Sequence, residues 1–401
     1  MRVAVIGGGA AGCFAAIEIK RRDPSADVVL LEAGRQTLAK VAVTGGGRCN
    51  LTNSFAHVES LEKVYPRGFR LMKRALQTFS CEDTVRWFEN EGVRLVTQAD
   101  DCVFPASQDA MQIVRTLQNL MNRSGVEIMT GSAVSALRPG FECVLANGSV
   151  VEADRVIVTT GGSPKLSGLS FLDGLGLEMV PPVPSLFTMR VGDKGLTSLA
   201  GTLADVVLGI AGTPFRASGT LLLTDWGISG PAALRLSSYA ARHLADTGYQ
   251  GTLLVNWLPL CEDLGSMLSA MVAENPQKRL STVHPEGITA RLWEHLISKA
   301  GLRADIRCAE TGSKGLSRLA EVLRADTYPL TGRVHFKEEF VTCGGVSLKE
   351  INPSTMESRK YPGLYFAGEV LDIDAVTGGF NLQAAWSTGY CAAIACLRQN
   401  Q

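Results

Sequence analysis

The 401-residue chain has no excess charge of either sign, since Lys+Arg and Asp+Glu each total 39. That balance gives no general attraction to a nucleic acid or an anionic membrane, so any basic contact must come from a local patch. No apolar run reaches the roughly 18 residues that a membrane-spanning helix needs. No signal peptide is visible either, because the first strand starts at Arg2; a cytoplasmic protein is the expectation. Ten cysteines are present, none in a C-x-x-C pair. Cys391 and Cys396 are five apart on an expected helix and fall on different faces. Buried, reduced thiols are therefore expected, not a disulfide framework. The five histidines, His57, His243, His284, His295 and His335, make no zinc-like spacing with Cys or acids, so no metal is expected. None has a motif around it, and each reads as a surface or packed imidazole. Aromatic content is only 6%, yet 46% of the chain is hydrophobic, which is enough for a large core spread over two or three domains.

What the chain does have is a strong start. Residues 1–32 read MRVAVIGGGAAGCFAAIEIKRRDPSADVVLLE. An apolar strand, Val3 to Ile6, runs into Gly7, Gly9 and Gly12 in a G-x-G-x-x-G pattern, then into an apolar helix through Ile19. Gly7 allows the sharp turn, Gly9 lets a pyrophosphate approach the backbone, and Gly12 lets the helix pack close to the sheet. The helix N-terminus offers free N–H groups to phosphates. A second strand, Val28 to Leu31, ends in Glu32, 20 residues after Gly12, where an acid accepts hydrogen bonds from a ribose diol. Strand, glycines, helix and acid in this order predict a dinucleotide site.

Further along, the Gly-rich segment KVAVTGGGRCNLTN occupies 40–53. Ser80 and Asp83 predict a capping box for a helix that runs to Glu91 and stops at Gly92. Ala110, Ile113, Val114, Leu117, Leu120 and Met121 form a stripe at helical spacing, read as a core face. Val126 to Met129 is a strand candidate. Phe141 to Ala146 and Val150 to Ala153 flank Asn147-Gly148, a hairpin signal. Val156 to Thr160 reads as a buried strand ending in Gly161-Gly162. This order suits an FAD domain better than a plain NAD dehydrogenase. The character changes around Pro181 to Pro184. Residues 186–257 read as short strands, among them Ala204 to Leu208 and Thr220 to Thr224, with one helix starting near Pro231. Residues 260–326 read mainly as helices, and RVHFKEEFVT (333–342) as a strand. The end of the chain restores a strand, Leu364 to Ala367, then Gly368-Glu369, Asp372 and Asp374, Gly378-Gly379 and an apolar helix from about Leu382. The middle third therefore reads as an insertion into one discontinuous nucleotide-binding domain.

These motifs resemble the BaiN-like (YhiN-type) NAD(P)/FAD-dependent oxidoreductases, a bacterial flavoprotein family. The pieces that carry the resemblance are GGGAAG (7–12), VTGGGRCNLTN (43–53), VTTGG (158–162), LTDWGISGPAALRLSS (223–238), CGGV (343–346) and GLYFAGEVLDIDAVTGGFNLQAAWSTG (363–389). The implied fold is α/β: a discontinuous Rossmann-like FAD-binding domain (1–185 and 341–401), an inserted β-barrel-like domain (186–259 and 327–340) and a small helical domain (260–326). The chain departs from the family in two places. Thr224-Asp225 stands where relatives often have Thr-His, and Phe380 where they often have Tyr. The loop after Gly162 is also short.

The resemblance implies roles for named residues. Gly7, Gly9, Ala10, Ala11 and Gly12 would cradle the FAD pyrophosphate and Glu32 the adenosine ribose. Lys40 and Arg48 are cations expected near the phosphates or the flavin edge. Gly45, Gly46 and Gly47 let backbone lie against a flat ring or a phosphate, since no side chain intervenes. Thr160 and Gly161 join the cofactor-binding set. Gly368, Glu369 and Asp372 would line the ribityl chain and phosphates. Gly378 and Gly379 precede a helix whose N-terminus would face the flavin pyrimidine, stabilising negative charge there, with Phe380 and Asn381 flanking the ring. Catalytic candidates are Cys49, Asn50, Asp225 and Asn381. For Cys49 a structural or flavin-contact thiol is the favoured reading, and for Asn50 and Asn53 turn capping competes with a contact to flavin or substrate.

The expected function is an FAD-dependent oxidoreductase, with non-covalent FAD, that passes hydride from NAD(P)H to an acceptor such as a conjugated C=C. No second G-x-G-x-x-G unit is present, so the nicotinamide would bind transiently. One alternative is a flavin-dependent reductase of uracil in ribosomal RNA, which would need a basic face such as Lys63, Arg67, Arg70, Lys73 and Arg74. Another is a non-catalytic FAD-binding redox sensor. The acceptor is thus a small molecule or an RNA base, with no membrane partner expected.

Overall fold

The apolar run after Met1 forms β1 (Arg2–Ile6), the central strand of a five-stranded parallel sheet. The computed structural model describes residues 1–334 and 341–398. They fall into two compact units, Met1–Val183 with Val341–Gln401 and Pro184–Phe340.

In the first unit the sheet runs Leu364–Phe366, Arg155–Val158, β1, β2 (Asp27–Leu31), Glu127–Met129. Ile6 pairs with Leu31 on one side and Val158 on the other, and Val158 pairs with Phe366, so four strands end level. Buried on both faces, these strands are continuous apolar runs without alternation, as a parallel sheet requires. Helix α1 (Ala10–Arg22) is buried at every residue from Ala11 to Ile19. It packs against the C-terminal helix Phe380–Leu397 and the helix Ala110–Ser124. A Cβ at Gly389 would sit 2.9 Å from Ala11 O, so glycine there permits the close helix approach. All six apolar residues of the 110–121 stripe are buried. The capping box at Ser80 and Asp83 starts the helix Cys81–Asn90. The Asn147-Gly148 turn joins strands Glu142–Leu145 and Val150–Glu152, with Gly148 at φ +87°.

In the second unit six strands close a barrel in the order Met189–Val191, Gly227–Ser229, Arg216–Thr224, Leu203–Ile210, Gln250–Asn256, Asp326–Arg333. Helices Leu264–Glu274, Ala290–Lys299 and Gly312–Ala325 come between its last two strands in sequence. They share one apolar core with the barrel, in which Val206, Leu221 and Val255 join Leu268, Trp293 and Leu323.

Most of the strand expected over 333–342 lies outside the described residues. One strand ends at Arg333, and another, Val341–Val346, pairs with Met179–Ser185. Residues 335–340, including His335, lie outside the described residues. The last helix starts at Phe380, two residues before the expected Leu382, because Gly379 at φ +87° caps it. All ten cysteines are free thiols. Among the described residues no helix is long and apolar enough to cross a membrane, and no three His, Cys, Asp or Glu side chains cluster as metal ligands.

Candidate dinucleotide and flavin site

The turn from β1 into α1 needs its glycines for different reasons. Gly7 has φ +108°, and a Cβ there would lie 2.5 Å from Thr159 O. A Cβ on Gly12 would lie 2.0 Å from Gly7 O and 2.4 Å from Thr159 Oγ1. The Thr159 hydroxyl is shared between Gly7 O at 2.8 Å and Ile6 O at 3.0 Å, which locks the turn from below. At Gly9 a Cβ would meet nothing within 4 Å. α1 also starts without a side-chain cap, so its first-turn N–H groups remain for a ligand. Glu32 is half-buried at the end of β2. Its Oε2 accepts from Gly8 N at 2.7 Å and its Oε1 from Gly34 N at 2.6 Å. A carboxylate has about four acceptor positions, so two remain for a diol.

The second glycine segment is a helical turn, Ala39–Gly47, broken where Thr44 becomes extended. Gly45, Gly46 and Gly47 have φ +58°, +68° and +82°, and Cβ atoms on the last two would meet nothing. Arg48 lies over the Phe104 ring at 4.5 Å and donates from Nε to Gly45 O at 3.2 Å. Lys40 is exposed, with Nζ 3.7 Å from Glu369 Oε2. Cys49 is wholly buried. Burial pushes its thiol up to about 12, against a smaller pull from the Thr44 hydroxyl. It is therefore protonated at neutral pH and is not a thiolate nucleophile.

The C-terminal segment meets both. Gly161, just past the strand Arg155–Val158 and Thr160, has φ +76°. A Cβ on the next residue, Gly162, would lie 2.5 Å from Glu369 Oε1, which accepts from Thr342 N at 2.8 Å. Asp372 Oδ1 accepts from Gly344 N at 2.9 Å. Gly368 N donates to Thr388 Oγ1 at 2.8 Å, and a Cβ there would meet Ala11 Cβ at 3.1 Å, so this loop sits on the first turn of α1. A Cβ on Gly379 would be 2.3 Å from Thr52 O, so the glycine pair is held against the short strand Thr52–Asn53. Asn53 Nδ2 donates to Gly378 O at 3.1 Å. The Asn50 amide donates to Thr52 O at 3.0 Å and accepts from Gly379 N at 3.2 Å. Asn381 brackets one residue, accepting from Ala375 N at 2.9 Å and donating to Ala375 O at 3.0 Å. Both asparagine candidates thus shape loops.

Several residues that matter here carry no motif in the sequence. The Tyr65 hydroxyl donates to Phe380 O at 2.9 Å. Gln383 is fully buried; its Oε1 accepts from the Thr52 and Thr84 hydroxyls at 2.5 and 2.9 Å, and its Nε2 donates to Ser80 O and Ser387 Oγ at 3.2 and 2.9 Å. Arg67 forms a two-pronged ion pair with fully buried Asp374. This corrects the expected basic face, because Arg67 is turned inward by the need to neutralise a buried carboxylate. Lys63 pairs with Glu59 at 2.5 Å. Arg70, Lys73 and Arg74 remain exposed on the helix Phe69–Thr78. Only the partner geometry, not the spacing, could have revealed these roles. Asp225 belongs to the second unit, in the exposed turn between Arg216–Thr224 and Gly227–Ser229.

The residues present fit an FAD. Gly9 and the uncapped α1 leave room and donors for a pyrophosphate, Glu32 keeps acceptor positions for a ribose, and Gly46 and Gly47 leave backbone bare for a ring. The N-terminus of Phe380–Leu397 supplies a positive dipole end.

A family model described as the HI0933-like protein Rossmann domain matches residues 1–395. A 3-dehydro-bile acid delta(4,6)-reductase of Clostridium scindens is 30% identical over 409 residues, covering 98% of each chain. A ribosomal RNA dihydrouridine synthase of Haemophilus influenzae is 30% identical over 415 residues, again covering 98% of each. Among solved structures, a 3-ketosteroid-delta4-(5alpha)-dehydrogenase from Rhodococcus jostii RHA1 in complex with 4-androstene-3,17-dione has a TM-score of 0.50 at 16% identity, covering 99% of this chain and 96% of that one. At that identity it supports the fold alone.

Proposed function

The chain belongs to the HI0933-like Rossmann-domain family and is a flavin-dependent oxidoreductase, and from that premise we propose that it reduces a carbon–carbon double bond conjugated to a carbonyl, with NAD(P)H as the electron source. The observation that carries this reading is the chemistry shared by the two relatives' names. A 3-oxo group with 4,6-unsaturation is a dienone, and dihydrouridine is uridine reduced across a bond conjugated to its carbonyl. Both reductions add hydride to the far carbon of the conjugated system and a proton to the near one.

When bound, the FAD supplies the two-electron chemistry. The protein's own part is binding and field. Gly7 to Gly12, with Thr159 beneath, would hold the phosphates on backbone donors. Glu32 would hold the ribose. Lys40, with Glu369 and Asp372, would line the path from the phosphates towards the ring. The Gly45–Gly47 backbone and the N-terminal turn of Phe380–Leu397 would face the ring, where their N–H groups and helix dipole would favour negative charge without reorganisation.

The ribosomal RNA reading keeps one supporting observation, the exposed Arg70, Lys73 and Arg74 on one helix. The test is anaerobic. Bleaching of the flavin by NADH or NADPH, then its reoxidation by a 4,6-dien-3-one steroid, supports the small-molecule reading. Reoxidation by a ribosomal RNA transcript and not by the steroid moves the assignment to RNA. Bleaching with no acceptor faster than oxygen leaves a sensor.

A further inference from the structure

The proton that completes such a reduction needs a donor, and the polar groups around Gly378–Asn381 are already engaged. The Cys49 thiol is buried and pushed up to about 12 by that burial. The Tyr65 hydroxyl is buried and gives its hydrogen to Phe380 O, and burial raises its pKa. Asn50 and Asn381 use their amides on backbone. Asp374 is bound by Arg67. The first unit has a single histidine, His57, and it lies on the same set of loops.

His57 is both exposed and oriented. Its side chain is 84% exposed, and Nδ1 lies 2.7 Å from Asp101 Oδ2. Asp101 is itself fixed: its Oδ1 accepts from Ser54 Oγ at 2.9 Å and its backbone O from Ser54 N at 2.8 Å. The His57 contact first, and the Ser54 contact second, hold its carboxyl below the usual range. A carboxylate at Nδ1 selects the tautomer with the proton there and leaves Nε2 as the exchanging position. Among the described residues Nε2 has no protein partner. The segment carrying His57 is tied to Gly378 and to Phe380. Asn53 donates to Gly378 O while accepting from Phe55 N at 2.9 Å, and Phe55, at φ +60°, stands edge-on to the Phe380 ring with centroids 5.1 Å apart.

We propose that His57 is the proton donor to the reduced double bond and that Asp101 is its positioning residue. This rests on the reading above, that the chain reduces a conjugated C=C. Hydride from the reduced flavin adds to the far carbon, the C=C π pair shifts towards the carbonyl, and an enolate forms on the substrate. The near carbon then takes the Nε2 proton of the imidazolium, which Asp101 holds by its Nδ1. The carbonyl re-forms, neutral His57 regains a proton from water, and NAD(P)H restores the electrons.

The experiment uses the full-length holoprotein with His57→Gln, His57→Ala and Asp101→Asn. Because His57 is exposed, these variants should fold and keep FAD, and flavin reduction by the nicotinamide should change less than about threefold. Reoxidation of the reduced flavin by the 4,6-dien-3-one steroid or the ribosomal RNA transcript, whichever the wild type uses, should fall about 10²–10⁴-fold in His57→Gln. Asp101→Asn should lose roughly tenfold, and added imidazole should partly restore His57→Ala. A readout apart from turnover comes from 13C-histidine NMR of the oxidised holoprotein. The ring signal missing in His57→Gln should be the one that moves when the acceptor binds. Unchanged reoxidation in His57→Gln, or loss of FAD from it, overturns the assignment while the reductase reading stands. A wild type that neither acceptor reoxidises overturns the reductase reading, and this assignment with it.

Discussion

The two units bury polar groups in opposite ways. In the second, fully structured elements bring many donors to one acid. Asp326 is 3% exposed and takes Trp257 Nε1 at 3.0 Å and Thr327 N at 2.9 Å, along with Lys299 Nζ and the Tyr328 hydroxyl. Lys299 also lies over the Tyr328 ring at 3.5 Å. In the first unit several buried polar groups fasten connecting segments instead. Arg67 and Asp374 join two connecting segments, and Gln383 ties Thr52, Thr84 and Ser80 to the last helix. A barrel can satisfy a charge with the neighbours that strand pairing supplies. A cofactor site must leave its backbone bare, so its loops need dedicated side chains to hold them.

The largest effect should come from breaking this contrast at the two acids. Arg67→Met leaves Asp374 buried without its guanidinium and should cost about 3–5 kcal/mol of stability and most of the bound flavin. Lys299→Met leaves Asp326 with neutral donors and should cost nearer 2 kcal/mol. Equal losses in urea unfolding of the two variants would remove the distinction. Next is Gly12→Ala, whose Cβ would lie 2.0 Å from Gly7 O. A displacement of α1 worth about 3 kcal/mol should weaken FAD roughly 100-fold, read by flavin fluorescence. Glu32→Gln keeps the shape but weakens charge-assisted hydrogen bonds. FAD affinity should fall about tenfold, with the melting temperature of the apoprotein changed little.

The smallest effect is a pH dependence confined to the barrel unit. His295 Nε2 is 3.1 Å from the Tyr328 hydroxyl. Burial lowers its pKa below the usual histidine value, Asp193 and Asp326 oppose this, and Lys299 adds to it. The unfolded chain therefore takes up a proton that the folded one resists. Stability holds above the ordinary histidine range and falls as pH drops through it. His295→Gln should flatten the melting temperature between about pH 8 and 5. An unchanged slope would mean that the titration lies elsewhere.

Much of the nucleotide-binding unit was legible because its signals are local. β1, the glycine turn, α1 and Glu32 lie within the first 32 residues, and Gly12 answers to Gly7 O inside that turn and Gly9 to open space, although Gly7 is also pressed by Thr159 from a distant strand. The stripe over 110–121 and the Asn147-Gly148 hairpin were readable for the same reason, periodicity and turn chemistry. The ends of elements were less so. Residues 333–342 read as one strand from their composition, while the described residues show one strand ending at Arg333 and another starting at Val341. Arg67 looked like part of a basic face because charge composition says nothing of direction.

The residues of this protein by themselves determined the strand–turn–helix start, the acid at Glu32 and the glycine pair before the last helix, because backbone freedom and periodicity act over a few residues. Tertiary structure alone decided that Thr52 would meet Gln383 across 331 positions, that Arg67 would meet Asp374 across 307, and that Asp101 would orient His57. A hydrogen bond between distant loops leaves no spacing in the sequence. It exists only once the sheet has brought both loops to one end.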